Sequence, residues 1–537
     1  MTTQRISKMY SLVKFSILNN KTIIIICLLG IILSAILSYI YFRFSYFEPD
    51  TVSYSFQAKI FARGKLNLKP PPEYGFSSSP HINILNGKWY SKYPFGNALM
   101  LTLGGFINAH WIVPAVVTGL ALVLLYLIVL EAYGKRIALI AAVIGLISPA
   151  TLGMGCTWFS EPVSRFYLAI FLISLIRMIK YRKWYYAALS GFALGYAFNT
   201  RPMPAVAFGI VGGIFVVYSL VKPLKCRVTL KLLVTFFFTF TLMIILCMAW
   251  NNYFTGHPLK FTHTAMQPYD KIGFGKRTEG YDPNVENAGV FTPKWALERI
   301  WRHTLPCISF NTLGWGYYIP NLFKSDYKLM LKAIPLLFPI ILMLIPLFHP
   351  SRNRYDFMFF GFLLMNLILY FPFYFEGSTW GVTPVNARYY TECTLLGIIP
   401  LVARGMWIVY GCIKKLSTKL IPIMVILLVL LTANTVYTYV YIGKPYINWG
   451  HVYQDLPIMV EEADIHNAVI FIKNHRGAPI GDYPFEPLEK ADIVYFKLGP
   501  SKVWRLTNSD WKEVYNQYFT GRDAYMYESG KLFPLEL

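Results

Sequence analysis

The chain has 537 residues, of which 55% are hydrophobic and only 14% charged, whereas soluble globular domains carry about 25% charged residues. This composition excludes a soluble globular protein and predicts a polytopic membrane protein. The formal net charge is +23, but the basic residues are spread over short loops between apolar stretches. We therefore expect membrane lipid head groups, and not nucleic acid, as their partners.

Eleven apolar stretches predict eleven transmembrane helices. The segment before the first stretch contains Lys and Arg but no acid, so the positive-inside rule places the amino terminus in the cytoplasm. A further apolar stretch, 95–109, is predicted to lie in the outer interface, because a crossing there would invert every later basic loop. The predicted spans are 22–44, 112–131, 137–152, 162–179, 184–199, 203–221, 230–250, 331–348, 356–373, 389–410 and 420–442.

Three parts of the chain follow from this pattern. Residues 1–21 are a cytoplasmic segment, and residues 22–442 form an all-α membrane domain with two long outer loops at 45–111 and 251–330. Residues 443–537 are rich in acids and contain no further span, which predicts a small extracytoplasmic domain. Alternating apolar residues at 468–472 and 493–496 are typical of buried strands, so this domain should be α/β or β-rich.

Two acids border predicted spans on the outer side. Asp50 follows the first span, with Glu48 just before it and Tyr54 one helical turn later on the same face. Glu161 stands in the second outer loop, directly before a span. Carboxylates at the edge of a membrane are costly to bury and often functional. The alternatives are structural: Asp50 as a helix cap, and Glu161 with Pro162 as an ordinary helix start.

Three basic residues lie on the same predicted side, where topology does not require them. They are Lys92, Arg201 and Arg388. A guanidinium can bind a phosphate in forked geometry. The alternatives are pairing with Glu376 or Glu392, or contact with lipid head groups.

Histidines and cysteines give no metal signal. The outer histidines lack close ligand spacing, so free or core-packed side chains are expected. The seven cysteines are dispersed, which predicts neither a disulfide framework nor a zinc site. The outer histidines are His81, His257, His263 and His303.

Five local patterns, taken together, resemble the GT-C superfamily of polyprenyl-phosphate-dependent glycosyltransferases, in particular its protein-mannosyltransferase and aminoarabinose-transferase branch (family 39-like). The resemblance extends over about residues 20–445 and rests on the order and sidedness of the patterns. They are Asp50-x-x-x-Tyr54 with Ala58 and Gly64, Lys92-Tyr93-Pro94-Phe95-Gly96, Ser160-Glu161-Pro162, Thr200-Arg201-Pro202 and Ala387-Arg388-Tyr389.

The resemblance implies an inverting single displacement, in which a sugar moves from a polyprenyl-phosphate-linked donor to an envelope lipid, glycan or protein at the outer face of the bacterial cytoplasmic membrane. It implies Asp50 as the catalytic base, with Glu161 as a second catalytic acid. Many members have Asp-Glu where this chain has Asp50-Thr51. A divalent metal is allowed, with no ligands assigned. The remaining implied roles are donor-phosphate binding for Arg388, Arg201 and Lys92, and substrate binding for Tyr54, Glu48 and Tyr389.

A different class of function shares several of these features. A transporter or flippase of a lipid-linked or anionic solute would also have many helices and buried charges. The chain shows no two-fold hydropathy repeat, and its candidate residues lie at one face instead of the midplane. These two observations favour the transferase.

Overall fold

A computed structural model describes most of the chain. The described residues are 21–70, 81–220, 226–265, 272–276, 290–300, 328–373, 388–416, 454–473, 491–498 and 510–536, with three isolated positions at 309, 312 and 422.

The first half of the described chain is a series of apolar helices with one short hairpin. Its helices are α1 Lys21–Phe42, α2 Pro49–Ala62, α3 Phe95–Gly105, α4 Ile112–Tyr133, α5 Lys135–Ile147, α6 Pro149–Gly155, α7 Glu161–Tyr181, α8 Trp184–Phe198, α9 Pro202–Leu220 and α10 Cys226–Thr255. The hairpin is formed by β1 Ile82–Leu85 and β2 Lys88–Ser91, which are antiparallel.

Helices continue after α10, with one irregular segment. They are α11 Thr262–Ala265, α12 Pro293–Arg299, α13 Lys328–Phe348, α14 Arg354–Tyr370, α15 Thr391–Cys393 and α16 Ile399–Leu416. A 3₁₀ turn, Arg388–Tyr390, precedes α15, and a π-helical turn, Thr394–Ile398, separates α15 from α16. A small antiparallel pair joins β3 Gly275–Lys276 and β4 Val290–Phe291.

The predicted membrane architecture is confirmed. Among the described residues, six helical stretches are long and apolar enough to cross a bilayer, and α5 with α6 makes a seventh if this pair, bent by 50°, is one span. The predicted spans at 184–199, 331–348 and 356–373 are the helices α8, α13 and α14. The predicted span at 420–442 lies outside the described residues, apart from position 422.

Two local features explain departures from straight spanning helices. The bend between α5 and α6 falls at Pro149, which cannot continue the hydrogen-bond ladder, and Ser148 before it is extended with ψ 127°. Helix α3 has 11 residues and is therefore about 16 Å long. A bilayer core is about 30 Å thick, so α3 is too short to cross it, as expected for the stretch at 95–109.

The carboxyl-terminal domain is α/β, and both predicted strands are present. Its sheet has the order β6-β5-β7-β8. Strands β5, β6 and β7 are parallel, and β8 is antiparallel to β7. The helix α17 covers one face, and a helical segment at 454–462 covers the other. The elements are β5 Ala468–Lys473, β6 Ile493–Leu498, α17 Trp511–Tyr518, β7 Asp523–Glu528 and β8 Lys531–Pro534.

This domain contacts the chain just after α1. The Nε2 group of Gln454 donates to Ser45 Oγ (2.5 Å), and Arg43 lies 3.6 Å from Asp455. The α/β domain therefore rests on the segment that leads from α1 into α2.

Candidate active site

Five charged side chains from four separate segments meet at one end of the helix bundle. Asp50 comes from the first turn of α2, Glu161 from the start of α7 and Arg201 from the turn between α8 and α9. Arg388 and Glu392 come from the irregular segment before α16. The side chains of Glu161 and Glu392 are fully buried, whereas those of Asp50 and Arg388 are each 14% exposed.

These five residues form a chain of alternating charge, which we call the Asp50 cluster. Arg388 Nη2 donates to Asp50 Oδ2 (2.6 Å), and its Nε lies 3.6 Å from Glu161 Oε1. Arg201 Nη1 donates to the same Glu161 oxygen, and its Nε lies 2.9 Å from Glu392 Oε1. Each arginine is therefore shared between two carboxylates.

Local structure explains why Asp50 is available to this cluster. The N-cap of α2 is Glu48, whose backbone N–H donates to Thr51 Oγ1 (3.1 Å), and Pro49 occupies the first helical position. The alternative in which Asp50 caps the helix is therefore wrong. Its carboxylate still lies in the first turn, where the helix dipole favours negative charge.

The irregular backbone before α16 places Arg388. A π-helical turn follows directly at Thr394–Ile398, and such turns occur frequently at functional sites. The Arg388 guanidinium lies over the Phe159 ring at 4.3 Å, and the Tyr389 hydroxyl lies 3.4 Å from its Nη2. Arg201 faces the Tyr389 ring at 5.5 Å. Aromatic faces thus hold both guanidinium groups by cation–π contact.

The Arg201 turn packs against the Lys92–Gly96 pattern. The Gly96 N–H donates to Asn199 O (2.8 Å), and a Cβ at Gly96 would lie 2.7 Å from that oxygen. Only glycine permits this close approach. A Cβ at Gly96 would also overlap Thr200 Oγ1, so two of the five patterns that carried the family resemblance are in direct contact.

The β1–β2 hairpin supplies the other partners of Asp50. The Tyr93 hydroxyl donates to Asp50 Oδ1, and His81 Nε2 lies 3.1 Å from the same oxygen. Tyr54 stacks on Tyr93 with ring centroids 4.7 Å apart. Lys92 is buried with its ammonium 5.2 Å from the Tyr93 ring centroid.

The pKa values of three groups outside the spans follow from these contacts. Burial alone would raise the pKa of Asp50, but Arg388, His81 and Lys92 hold it well below its usual value. Burial and the neighbouring Asp50 raise the pKa of Glu48 to about 7. Burial, reinforced by Lys92, lowers the pKa of His81 to about 4. His81 is therefore neutral at pH 7 and donates to Asp50 through Nε2–H.

The eight residues singled out in the sequence lie in or around this cluster. Asp50, Glu161, Arg201 and Arg388 make its ion pairs, and Tyr389 contacts both arginines. Glu48, Tyr54 and Lys92 surround Asp50. Glu161 also begins α7 with Pro162 in the first turn, so the helix-start interpretation is correct as well. Glu376 lies outside the described residues.

Three residues of the site had no assigned role from the sequence. Glu392 was considered only as a partner for an arginine, and that alternative is confirmed for Arg201. Tyr93 belonged to a quoted pattern without a function. His81 has no spacing signal of its own, but Asn86-Gly87 is a strong hairpin turn signal, and that hairpin brings residue 81 back to residues 91–93.

The described residues contain no group of three or more His, Cys, Asp or Glu side chains placed to hold a metal ion. The side chains on these segments therefore do not provide a ligand set for the divalent metal that the resemblance allows.

No family model matches the chain, and no curated protein matches it. Among solved structures, the chain is similar to ArnT from Cupriavidus metallidurans bound to undecaprenyl phosphate. That match has a TM-score of 0.51 and 13% identity and covers 94% of this chain and 92% of ArnT. The chain has the GT-C fold. The resemblance inferred from the sequence is thereby confirmed at the level of fold.

The chain is also similar to the oligosaccharyltransferase of Archaeoglobus fulgidus in the apo form, with a TM-score of 0.49 and 13% identity. The match covers 83% of this chain and 59% of the archaeal protein. The chain therefore spans less than two thirds of that protein's length.

Proposed function

We propose that this protein is a membrane glycosyltransferase that moves a sugar from a polyprenyl-phosphate-linked donor to an envelope lipid, glycan or protein. The observation that carries the proposal is the contact between Asp50 and Arg388. It joins a carboxylate able to accept a proton to a guanidinium able to bind a phosphate, at one end of a GT-C bundle. The comparison with ArnT bound to undecaprenyl phosphate supports a polyprenyl-phosphate donor.

The reaction needs few groups from the protein, because the donor phosphate is already a leaving group. Asp50 takes the proton of the acceptor as its oxygen or nitrogen bonds to the anomeric carbon. The bond from that carbon to the phosphate oxygen breaks, and its electron pair stays on the polyprenyl phosphate. Attack from the face opposite the phosphate inverts the anomeric centre. A carboxylate base contributes about 10²–10⁴-fold to such a step.

The position of Arg388 implies a change on donor binding. In an inverting displacement the sugar lies between the base and the departing phosphate, but Asp50 Oδ2 and Arg388 Nη2 are only 2.6 Å apart. We propose that the donor phosphate replaces Asp50 as the partner of Arg388. Glu161 holds Arg388 from the other side, and Lys92 adds a second cation for the phosphate. Because Asp50 then loses its strongest cationic partner, its pKa rises and it becomes a better base.

Arg201 has a different environment from Arg388. It lies between Glu161 and Glu392, and Glu392 is fully buried. Its proposed contact with the phosphate therefore requires one of these carboxylates to be released. While it stays in place, Arg201 fixes Glu161 beside Arg388.

The test is chemical analysis of the cell envelope. Mass spectrometry of envelope lipids and glycans is compared between a deletion strain and strains complemented with wild type, Asp50→Asn or Asp464→Asn. Asp464 is exposed and has a left-handed backbone with φ 51°, which Asn also tolerates. We expect wild type and Asp464→Asn to restore one missing sugar-bearing species and Asp50→Asn to fail. No difference between the deletion and wild-type strains would contradict the proposal.

The proposed sidedness has a separate test. We place the amino terminus in the cytoplasm and the Asp50 cluster and the α/β domain on the outer face of the cytoplasmic membrane. A cysteine introduced by Lys531→Cys should react with an impermeant maleimide in intact cells. The exposed Cys412 lies near the end of α16 that is farther from the Asp50 cluster. It should react only after the cells are permeabilised. The reverse pattern would overturn the topology.

A further inference from the structure

The two carboxylate oxygens of Asp50 have different surroundings. Tyr93 Oη and His81 Nε2 both approach Oδ1, whereas Arg388 is the one partner of Oδ2 within the described segments. A carboxylate oxygen accepts about two hydrogen bonds. Oδ1 is therefore saturated, and Oδ2 keeps one acceptor position that no described residue occupies.

We infer that Tyr93 and His81 act as positioning residues that occupy Asp50 Oδ1 and leave Oδ2 as the only atom that can take the proton of the acceptor. This inference rests on the proposed function. It identifies the atom that reacts, and it assigns roles to two residues that the sequence left without one.

The hairpin that carries both residues is fixed to the helix that carries Asp50. The Ser53 hydroxyl donates to His81 O (2.6 Å) and lies 2.7 Å from Ser91 Oγ. The Ser91 N–H donates to Gln57 Oε1 (3.0 Å). Ser53 and Gln57 lie on α2, one and two turns after Asp50. The Tyr93 N–H also donates to Ser91 Oγ (3.2 Å), so these bonds hold the backbone of both His81 and Tyr93 beside α2.

The hydrogen bonds to Oδ1 also determine the protonation state of Asp50 after Arg388 binds the donor phosphate. Two hydrogen-bond donors then remain on Oδ1, and donors to a carboxylate favour its ionised form. Asp50 thus stays a carboxylate, ready to accept a proton at Oδ2. The titratable or charged groups that face it are Glu48 and Tyr54 on α2, His81, Lys92 and Tyr93 on the hairpin, Glu161 on α7, and Arg388 and Tyr389 before α16.

Infrared difference spectroscopy of the purified full chain tests this inference without knowledge of the acceptor. The band of protonated Asp50 is identified by its absence from Asp50→Asn. Undecaprenyl phosphate is added as the probe that draws Arg388 away. The variants are Tyr93→Phe, which keeps the ring stacked on Tyr54, and His81→Leu. His81→Gln restores a donor at the position of Nε2. The matched control is Tyr90→Phe, on the same hairpin, where the ring stacks on Phe254 at 3.9 Å.

With undecaprenyl phosphate bound, we expect Asp50 to titrate at the same pH in wild type, Tyr90→Phe and His81→Gln. In Tyr93→Phe and His81→Leu its pKa should rise by about one unit or more, because each loses a hydrogen bond to the charged form. Binding of undecaprenyl phosphate should be unchanged in both. Wild-type titration in both Tyr93→Phe and His81→Leu would overturn the inference, and failure of His81→Gln to restore the wild-type titration would remove His81 from it.

The two proposals fail in different ways. The absence of any envelope difference between the deletion and wild-type strains would reject the proposed function, whatever the infrared spectra show. Full complementation by Asp50→Asn would reject Asp50 as the base and, with it, the positioning role. Loss of complementation by Asp50→Asn, together with wild-type titration in Tyr93→Phe and His81→Leu, would reject only the positioning role.

Discussion

Buried ion pairs occur at both ends of α14, and they are built differently. At one end Asp356 pairs with Arg404 (2.8 Å), whose guanidinium lies over the Tyr133 ring at 4.6 Å. At the other end Tyr370 packs against Tyr389 beside the Asp50 cluster. Both sites combine buried acids, arginines and aromatic rings. Composition alone therefore does not separate a structural pair from the proposed reaction centre.

The two sites differ in whether the paired acid caps its own helix and in whether every buried carboxylate oxygen has a hydrogen-bond partner in the described part of the chain. Asp356 accepts from the Asn353 N–H (2.6 Å) in the capping box of its own helix and from the Tyr133 hydroxyl (2.6 Å). Arg404 also donates to Ser351 O (2.6 Å). At the other site Glu48, and not Asp50, is the N-cap of α2, and Glu161 Oε2 has no hydrogen-bond partner among the described residues. A buried acceptor left unsatisfied is costly, which is typical of a site built for a ligand.

Breaking the Asp356 pair should produce the largest effect, and it should be an effect on stability. Asp356→Asn leaves Arg404 as a buried charge without its counterion, which costs about 3–5 kcal/mol. We expect a much lower thermal unfolding midpoint in detergent with turnover per folded molecule retained. An unchanged midpoint would show that the pair is not structural.

Arg388→Lys, unlike Asp356→Asn, should lower activity more than stability. The charge remains, but the forked guanidinium is lost, so affinity for undecaprenyl phosphate should fall about tenfold or more, the equivalent of about 1.4 kcal/mol. Titration of purified protein in nanodiscs measures this affinity. Arg404→Lys is the matched control and should bind the lipid like wild type. Equal affinity in Arg388→Lys and Arg404→Lys would contradict the proposed phosphate contact.

The smallest expected effect is a pH-dependent one at Glu48. Its pKa of about 7 lies above the ordinary value of 4.5, so the folded state binds more protons than the unfolded state between these pH values. This contribution to stability therefore falls as pH rises from 4.5 to about 7 and is constant above. Glu48→Gln lacks this titration. The difference between its unfolding midpoint and that of wild type should therefore shift in favour of the variant as pH rises from 4.5 to about 7.

The control for this experiment is Glu461→Gln, at an exposed position of the α/β domain. Its difference from wild type should be the same at every pH. A pH-independent difference for Glu48→Gln would show that Glu48 is not buried beside Asp50 in the folded protein.

Much of the fold could be predicted from the sequence, because the membrane imposes a simple constraint. Long apolar stretches must form helices, and the alternating segments at 468–472 and 493–496 are strands of a packed sheet. The meeting of Asp50, Glu161, Arg201 and Arg388 was also predictable, because all four lie at span ends on one predicted side.

The pairing inside the site could not be predicted, because it depends on contacts between distant segments. Arg201 and Arg388 have similar sequence settings, yet Arg201 lies between two buried carboxylates and Arg388 reaches Asp50. His81 approaches Asp50 only because the hairpin turns at Asn86-Gly87 and is anchored on Ser53. The Asn86-Gly87 turn can be read in the sequence, but spacing along the chain does not show that the hairpin packs on Ser53 or which carboxylate each arginine reaches.

Transfer by purified Asp50→Asn in proteoliposomes is the most direct test of the account. Donor lipid extracted from the deletion strain and the acceptor identified by envelope mass spectrometry are supplied to wild type, Asp50→Asn and Asp464→Asn. Asn keeps the shape of Asp but cannot take a proton, so a folded Asp50→Asn that still binds undecaprenyl phosphate should lose about 10²-fold or more in turnover. Near-normal turnover by that variant would contradict the assignment of Asp50 as the base.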